Sequence, residues 1–471
     1  MSPGAKTLGE AVEPETPFRV LILADFSGRA NRGVMETRAG SRRPVRIDRD
    51  SFDAVFEKLR PELLFPLAGS PSPALAVRFK ELDDFHPDRL FERVDVFQAL
   101  RGLRERLSDS ETFAAAAAAL RPAESAPPPA APAKITLDDL LDDSDGATTG
   151  TARALDDWSA MLHDLVAPHL VPGIDPRQTE LIAKVDAATS EAMRALLHQP
   201  AFQELEAAWR AVFFLVRRLE TGSELKLYLL DVSKAELAAE LETARDDLRH
   251  SELWRMVVEE SVGTLGGQPW AVLAGGYSFS QSAADLKLLA RLGAVAREAG
   301  APFLAATSPQ MLENIAAGAF RQIRKLPQAP WIGLALPRFL LRLPYGKETA
   351  PVESFDFEEF DSAPEHESYL WGNPIFACVY LLGEAFLRAG WDMRPGLVRE
   401  IDGLPLHVHK EDGESKAKPC AEVLMTEEGA EALLENGVMP LASIRNQDTV
   451  RLIRFQSIAD PLAPLAGRWR G

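Results

Sequence analysis

The feature that most constrains this chain is a low-complexity run, AAAAAALRPAESAPPPAAPAK, at residues 114–134. An alanine run can be helical. Pro127, Pro128, Pro129 and Pro132 cannot continue it, because each lacks a backbone N–H and its ring clashes with the preceding turn. Such a composition makes a semi-rigid tether rather than a packed element. The chain is therefore expected to divide into a domain at 1–112, a linker at 113–134, an acidic segment at 135–154 and a domain at 155–471. A length of 471 residues also exceeds the roughly 150 of one typical domain.

Charge follows the same division. Residues 1–110 carry 18 basic and 18 acidic side chains, so the rest of the chain holds the whole net charge of −18. A nucleic-acid binder would show a basic footprint, which this balance excludes. No run of about 18 apolar residues and no charged-then-apolar leader is found, which predicts neither membrane insertion nor export. Cys378 and Cys420 are too few for a disulfide framework, and a reducing cytoplasm is expected.

Phe18-Arg19-Val20-Leu21-Ile22-Leu23-Ala24 has strand length and composition, and Asp25-Phe26-Ser27-Gly28-Arg29 ends it as a polar turn. Neither G-x-x-x-x-G-K-[ST] nor G-x-G-x-x-G follows, so a phosphate cradle is not supported. Arg29, Arg32, Arg42, Arg43, Arg46 and Arg49 make the following loop basic, a contact for an acidic neighbour. Residues 45–48 read as extended, and Asp50 or Ser51 can cap a helix through Phe52, Val55, Phe56 and Leu59. Residues 75–79 alternate as a half-buried strand. Pro87 fits the first turn of a helix with Asp84 near its N-terminus, burying Leu90, Val94, Phe97, Leu100 and Leu103. His86 reads as a capping or turn residue before it reads as a metal ligand.

Beyond the linker, helical periodicity is predicted through Trp158, Leu162 and Leu165, then Leu181, Val185, Met193 and Leu196, then Phe202, Leu205, Trp209, Phe213 and Val216. Residues 225–232 form a strand, closed by Ser233 with Glu236 at capping-box spacing. Strands at 270–276, 301–306 and 332–336, with a helix over 285–299, make βαβ units and a mainly parallel sheet. The fold class is mixed α/β (α+β), in two domains. A buried helix over 376–391, a strand at 420–424, a helix over 426–435 and a C-cap at Gly437 complete the chain.

Catalytic constellations are poor. His407 and His409 lie two apart and share a face on a strand, as metal ligands or a metal-dependent enzyme would require, but no third ligand lies nearby in sequence. Cys378 sits in an apolar helix, where an inert thiol is usual. Gly263, Gly266, Gly267, Gly275 and Gly276 lack cradle spacing, and no G-x-S-x-G occurs. The densest aromatic stretch is 335–374. Pro337, Arg338, Arg342, Pro344, Tyr345, Gly346, Tyr369 and Trp371 lie in it, and its prolines force an extended, anchored path.

Motifs in order identify a family. Residues 17–107 resemble the small subunit of the type VI secretion contractile sheath, through Pro17-Phe18-Arg19-Val20, Ala24 to Arg29 and Leu82-Asp83-Asp84-Phe85-His86-Pro87-Asp88. Residues 155–455 resemble the large subunit. The matching pieces are Leu197-His198, Phe202-Gln203-Glu204-Leu205-Glu206-Ala207-Ala208-Trp209-Arg210, Val232-Ser233-Lys234, Gly276-Tyr277-Ser278-Phe279, residues 301–306 and the 335–374 stretch.

The resemblance implies two sheath-type domains fused through the linker, making subunit pairing intramolecular. It further implies a structural, non-enzymatic role without cofactor. The expected partners are other sheath subunits, an inner-tube protein around which the sheath contracts, a baseplate and an AAA+ recycling ATPase. By resemblance, Asp25, Phe26, Ser27, Gly28, Arg29, Asp84, His86, Pro87, Trp209, Arg210, Tyr277 and Phe279 join the residues of the aromatic stretch as structural or interface positions. Leu137, Leu140 and Leu141 are the expected ATPase-docking side chains. The 308–331 segment is compressed against the family pattern, and the chain stops near Trp469 where the family continues. These departures raise the alternative of a capping, baseplate-proximal or regulatory subunit that does not polymerise.

Overall fold

The computed structural model describes residues 15–35, 42–65, 75–120, 176–245, 247–311, 318, 320–360, 365–411 and 414–470. The acidic segment with Leu137, Leu140 and Leu141, the rest of the linker, and the Trp158–Leu162–Leu165 helix lie outside the described residues.

Before the linker come strands β1 (Phe18–Ala24), β2 (Val45–Ile47), β3 (Glu62–Phe65) and β4 (Leu75–Arg78). The helices there are α1 (Phe52–Leu59), α2 (Pro87–Arg93) and α3 (Asp95–Ser108); α4 (Phe113–Ala119) takes up the start of the expected linker and buries Ala116, so the alanine run is a packed helix there rather than a tether. After it come α5 (Pro176–Leu197), α6 (Pro200–Arg218), β5 (Leu225–Asp231) and α7 (Lys234–Thr243). Next are β6 (Val272–Phe279), α8 (Ala283–Ala299), β7 (Phe303–Thr307), β8 (Ile332–Leu336) and β9 (Phe339–Leu340). Then follow β10 (Trp371–Gly372), α9 (Pro374–Ala389), β11 (Glu400–Ile401), β12 (Val408–Glu411) and β13 (Glu414–Ala417). Helix α10 (Glu427–Glu435), β14 (Val438–Ser443) and β15 (Val450–Leu452) end the series.

One nine-stranded sheet organises the molecule, in the order β11-β15-β14-β8-β7-β6-β1-β5-β2. Strand β1 lies inside it, third from the β2 edge, parallel to β5 from Phe18↔Leu225 to Ala24↔Asp231 and parallel to β6 from Val20↔Val272 to Leu23↔Gly275. The pre-linker segment thus supplies an interior strand of a sheet whose other parallel strands come from beyond the linker. The reason is visible in β1 itself. Phe18, Val20, Ile22 and Ala24 enter one apolar core, while Leu21 and Leu23 enter the other. A strand apolar on both faces is stable only where helices cover both sides of the sheet. One core packs the strands against α6 and α9, the other against α7 and α8.

Several readings are corrected. The helix expected from Pro87 through Leu103 is broken at Val94, whose ψ of 126° is extended; α2 and α3 are separate helices burying the expected side chains. Residues 420–424 are not a strand; only Ala421 makes a bridge, to Phe339. Phe213, expected on the buried face of α6, is 38% exposed. Ser51 precedes α1, but its hydroxyl bonds Asp48 and caps no helical N–H.

Candidate functional site

Two polar clusters and one aromatic nest hold the pre-linker residues to the rest. At the end of β5, Asp231 receives hydrogen bonds from the backbone N–H groups of Phe26 (2.8 Å) and Ser27 (3.1 Å) and from the Ser27 hydroxyl (2.7 Å). Arg29 Nε adds an ion pair at 3.0 Å. The turn after β1 needs such an acceptor, because Gly28, at φ +76°, lets the chain reverse where a Cβ would meet the Glu62 carbonyl at 2.4 Å. Burial pushes the Asp231 carboxyl above its ordinary range, outweighing Arg29 and Ser27. Arg29 also reaches Glu236, and Arg42 reaches Glu240 at 2.6 Å. Arg32 pairs with Glu62 at 3.2 Å. For these three arginines, the acidic neighbour expected of the basic loop is in the same chain.

Trp209 of α6 fills the aromatic nest. It is fully buried against Phe26, Phe52 and Phe56, with ring centroids 5.4, 5.8 and 4.3 Å away. Its indole N–H donates to the Phe26 carbonyl at 2.8 Å, which leaves no polar atom of the ring unpaired.

The second cluster lies in the aromatic stretch. Arg342 bridges two buried carboxylates, Glu206 at 2.9 Å and Glu359 at 2.7 Å. Arg210 pairs with Glu206 one turn back on α6 and donates to the Tyr345 hydroxyl at 2.9 Å. Burial alone would raise Glu359. The Arg342 charge, His198 and the Tyr345 N–H outweigh it and hold this carboxyl at about 2. The stretch from residue 342 to 359 then runs as a strap across to α2, before the linker. Asp88 accepts from the N–H groups of Glu353 and Ser354, Phe355 stacks on Phe91 at 4.7 Å, and the His86 ring meets Tyr345 edge-on at 4.8 Å.

The structure places the remaining residues named from sequence as follows. His86 caps α2, accepting from Asp88 N, and Pro87 opens that helix. Buried Asp84 accepts from Lys80 N and pairs with Arg93. Tyr277 is buried and donates to Val232 O at 2.6 Å, and Phe279 lies under Lys234 Nζ at 4.5 Å. Pro337 and Pro344 are buried turn residues on either side of Arg342. Arg338 binds Glu422 at 3.0 Å, and that carboxyl, raised by burial, is drawn down to about 2 by His366 and Arg338. Tyr369 and Trp371 pack together, and the Tyr369 hydroxyl is 2.7 Å from His407 Nδ1. The rings of His407 and His409 stack at 5.4 Å, so the shared face is real. Among the described residues, the trio that gathers three possible metal-ligand atoms is instead His366, Glu367 and Glu422, and Arg338 already engages Glu422. Burial raises the Cys378 thiol to about 12, far from a reactive thiolate.

Asp231, Glu206, Glu359 and Asp88 were not singled out from sequence. Glu206 had a signal, its i,i+4 spacing to Arg210. Glu359 had none, because its partners are distant in the chain.

A family model described as "EvpB/VC_A0108, tail sheath N-terminal domain" matches residues 179–317 and 313–459. A second, described as "Type VI secretion system, VipA, VC_A0107 or Hcp2", matches residues 4–123. The chain is 34% identical over 305 residues to the type VI secretion system sheath protein TssC1 of Pseudomonas aeruginosa, covering 60% of this chain and 61% of the relative. It is 27% identical over 109 residues to the sheath protein TssB1 of the same organism, covering 22% of this chain and 62% of the relative. The chain thus spans about three fifths of the length of each curated relative. It belongs to the type VI secretion tail-sheath family, and carries in one polypeptide a segment matched by the VipA model ahead of one matched by the tail-sheath model.

Proposed function

We propose that this chain is a structural sheath protomer in which covalent fusion replaces the pairing of two sheath subunits. The observation that carries this reading is β1, in register with β5 on one side and β6 on the other. A segment that forms an interior strand of another segment's sheet must be present before that sheet is complete, and a tether supplies it at high local concentration. Protomers of this kind would stack around an inner tube above a baseplate in the cytoplasm. Contraction would draw on protomer packing, with no bond chemistry. Consistent with that compartment, no helix among the described residues is long and apolar enough to cross a membrane. Asp25 to Arg29, Trp209, Arg210, Arg342 and Tyr345 would hold the protomer together, and Leu137, Leu140 and Leu141 would present a docking edge to an AAA+ ATPase.

Electron microscopy of the purified full chain, alone and mixed with separately encoded sheath subunits, tests this. Sheath-like tubes containing the chain are expected; its absence from sedimentable tubes under every condition overturns the reading. Deleting residues 135–143 should abolish ATPase binding without affecting tube formation. Unchanged binding rules the docking edge out.

A further inference from the structure

The hold of the strap on α2 passes through one carboxylate that two kinds of donor can reach. Asp88 Oδ1 accepts from the backbone N–H groups of Glu353 at 3.0 Å and Ser354 at 2.8 Å, and Oδ2 lies 3.3 Å from Glu353 N. The same Oδ2 is 3.4 Å from Nδ1 of His86. That nitrogen is itself an acceptor, taking the N–H of Asp88 at 3.2 Å as the cap of α2. An acceptor nitrogen carries no proton, so the neutral His86 ring holds its hydrogen on Nε2.

The surroundings of the ring resist a second proton. On its own turn and helix it has Asp83, Asp88, Arg89 and Glu92, of which Arg89 pairs with Glu92 at 3.2 Å. From α6 it faces Arg210, and from the strap Arg342, Tyr345 and Glu353. Tyr345 meets the imidazole edge-on, the Arg342 guanidinium lies 4.1 Å from the centre of the Tyr345 ring, and Arg210 bonds the Tyr345 hydroxyl. Burial, opposed by Asp88 and Asp83 and helped by Arg210 and Arg342, keeps His86 below its ordinary 6.5. Burial alone would raise Asp88; its Ser354 and Glu353 donors draw it below the ordinary range instead, so it stays charged where the imidazole titrates. A cleft of about 450 Å³ between α2 and the strap is lined by His86, Asp88, Glu353 and Ser354, and the His86 side chain, 29% exposed, is within reach of water there.

We propose that His86 is a proton-operated catch on the contact between α2 and the strap. A proton taken from water at Nδ1 ends its role as acceptor for the Asp88 N–H and turns the ring into a cationic donor. The imidazolium then competes for Asp88 Oδ2, where a bond from a charged donor is about twice as strong as the neutral one from Glu353. Arg210 and Arg342 repel the charged ring, and the strap loses its grip on α2 at Glu353 and Ser354. The joint at Asp231 and Trp209 contains no histidine and stays closed. One of the two joints between the pre-linker and post-linker segments is thus sensitive to mild acid and the other is not. The catch works within one chain, independently of whether the protomer polymerises.

Amide hydrogen exchange of the intact chain, corrected for the intrinsic pH dependence of exchange, tests this between about pH 7.5 and 5.5, the range in which an imidazole changes charge. The open form has the ordinary histidine value and binds the proton first, so lowering the pH favours it. Protection of the Glu353 and Ser354 amides should be constant above 6.5 and fall below it by up to about tenfold per pH unit, the slope of one proton. Amides of β1 and β5 should keep their protection. His86→Asn retains a side-chain acceptor for the helix cap without a titrating ring, and should make protection of the strap flat across the range. Selective imidazole NMR of the unaltered chain gives an independent reading, with the hydrogen on Nε2 at neutral pH and a titration below 6.5. Flat protection in the unaltered chain, an undiminished slope in His86→Asn, equal loss in β1 and β5, or an Nδ1–H tautomer at neutral pH each overturns the proposal.

Discussion

The seam at Asp231 and Trp209 and the strap at Arg342 both use buried polar groups, but they join different things. The seam ties the pre-linker turn to β5 and α6, across sequence separations near two hundred residues. The strap ties α6 to a loop within the post-linker segment and touches the pre-linker helix α2 and its cap through Asp88, His86 and Phe91. At the seam, Asp231 joins backbone donors and the Ser27 hydroxyl to one half-buried arginine, beside an aromatic nest. In the strap, Arg342 bridges two carboxylates of which Glu206 also holds Arg210, so removing Arg342 leaves Glu359 as the acid without an arginine. One joint is centred on a single acid and the other on a two-acid, two-arginine cluster, and the two should fail differently.

The largest effect is expected from Trp209→Ala, which empties the aromatic nest and should cost about 3–5 kcal/mol in chemical denaturation. Hydrogen exchange should rise along β1 first if the nest holds the seam; uniform loss across the sheet would erase the distinction. Arg342→Ala should cost about 3 kcal/mol or more by leaving buried Glu359 without its arginine and Glu206 with Arg210 alone. Replacing Glu359 by Gln in the same chain should recover part of that loss, because one stranded charge is gone. Asp231→Ala should cost about 2 kcal/mol, as the Phe26 and Ser27 N–H groups lose their acceptor.

Acid sharpens the contrast. The folded value of Glu359, about 2, lies below its ordinary 4.5, so its contribution is complete above pH 4.5 and is lost as pH falls toward 2. Asp231 is raised above its ordinary 3.8, so what it adds is complete below 3.8 and lost as pH rises through its folded value. Unfolding free energy followed against pH should therefore flatten on the acid side in Glu359→Gln, and change with the opposite slope in Asp231→Asn. At the small end, Lys347→Ala removes an exposed pair with Asp356 at 2.7 Å and should leave the denaturation midpoint unchanged.

Much of the local structure was legible because it depends on neighbours in the chain. Ser233 and Glu236 form the capping box their spacing promised, Pro87 opens a helix with His86 as its cap, and Gly437 adopts φ +78° after α10. The sites were less legible. Arg342 and Tyr345 lie in the stretch picked out by its aromatics, yet the carboxylates that give them their setting, Glu206 and Glu359, come from α6 and from the far end of the strap. Val94 shows the same limit on a smaller scale. Its apolar spacing fits one helix, and only packing decided that the chain would bend there.

The sequence by itself determined many of the strands, helices and caps, because propensity, periodicity and missing N–H groups act within a few residues. It also carried the family motifs in order. Only the tertiary structure decided that the run before the linker is an interior strand of the sheet beyond it. The short apolar run told that β1 is a strand; it could not tell which strands would flank it, because pairing partners are chosen by the surface each segment leaves uncovered.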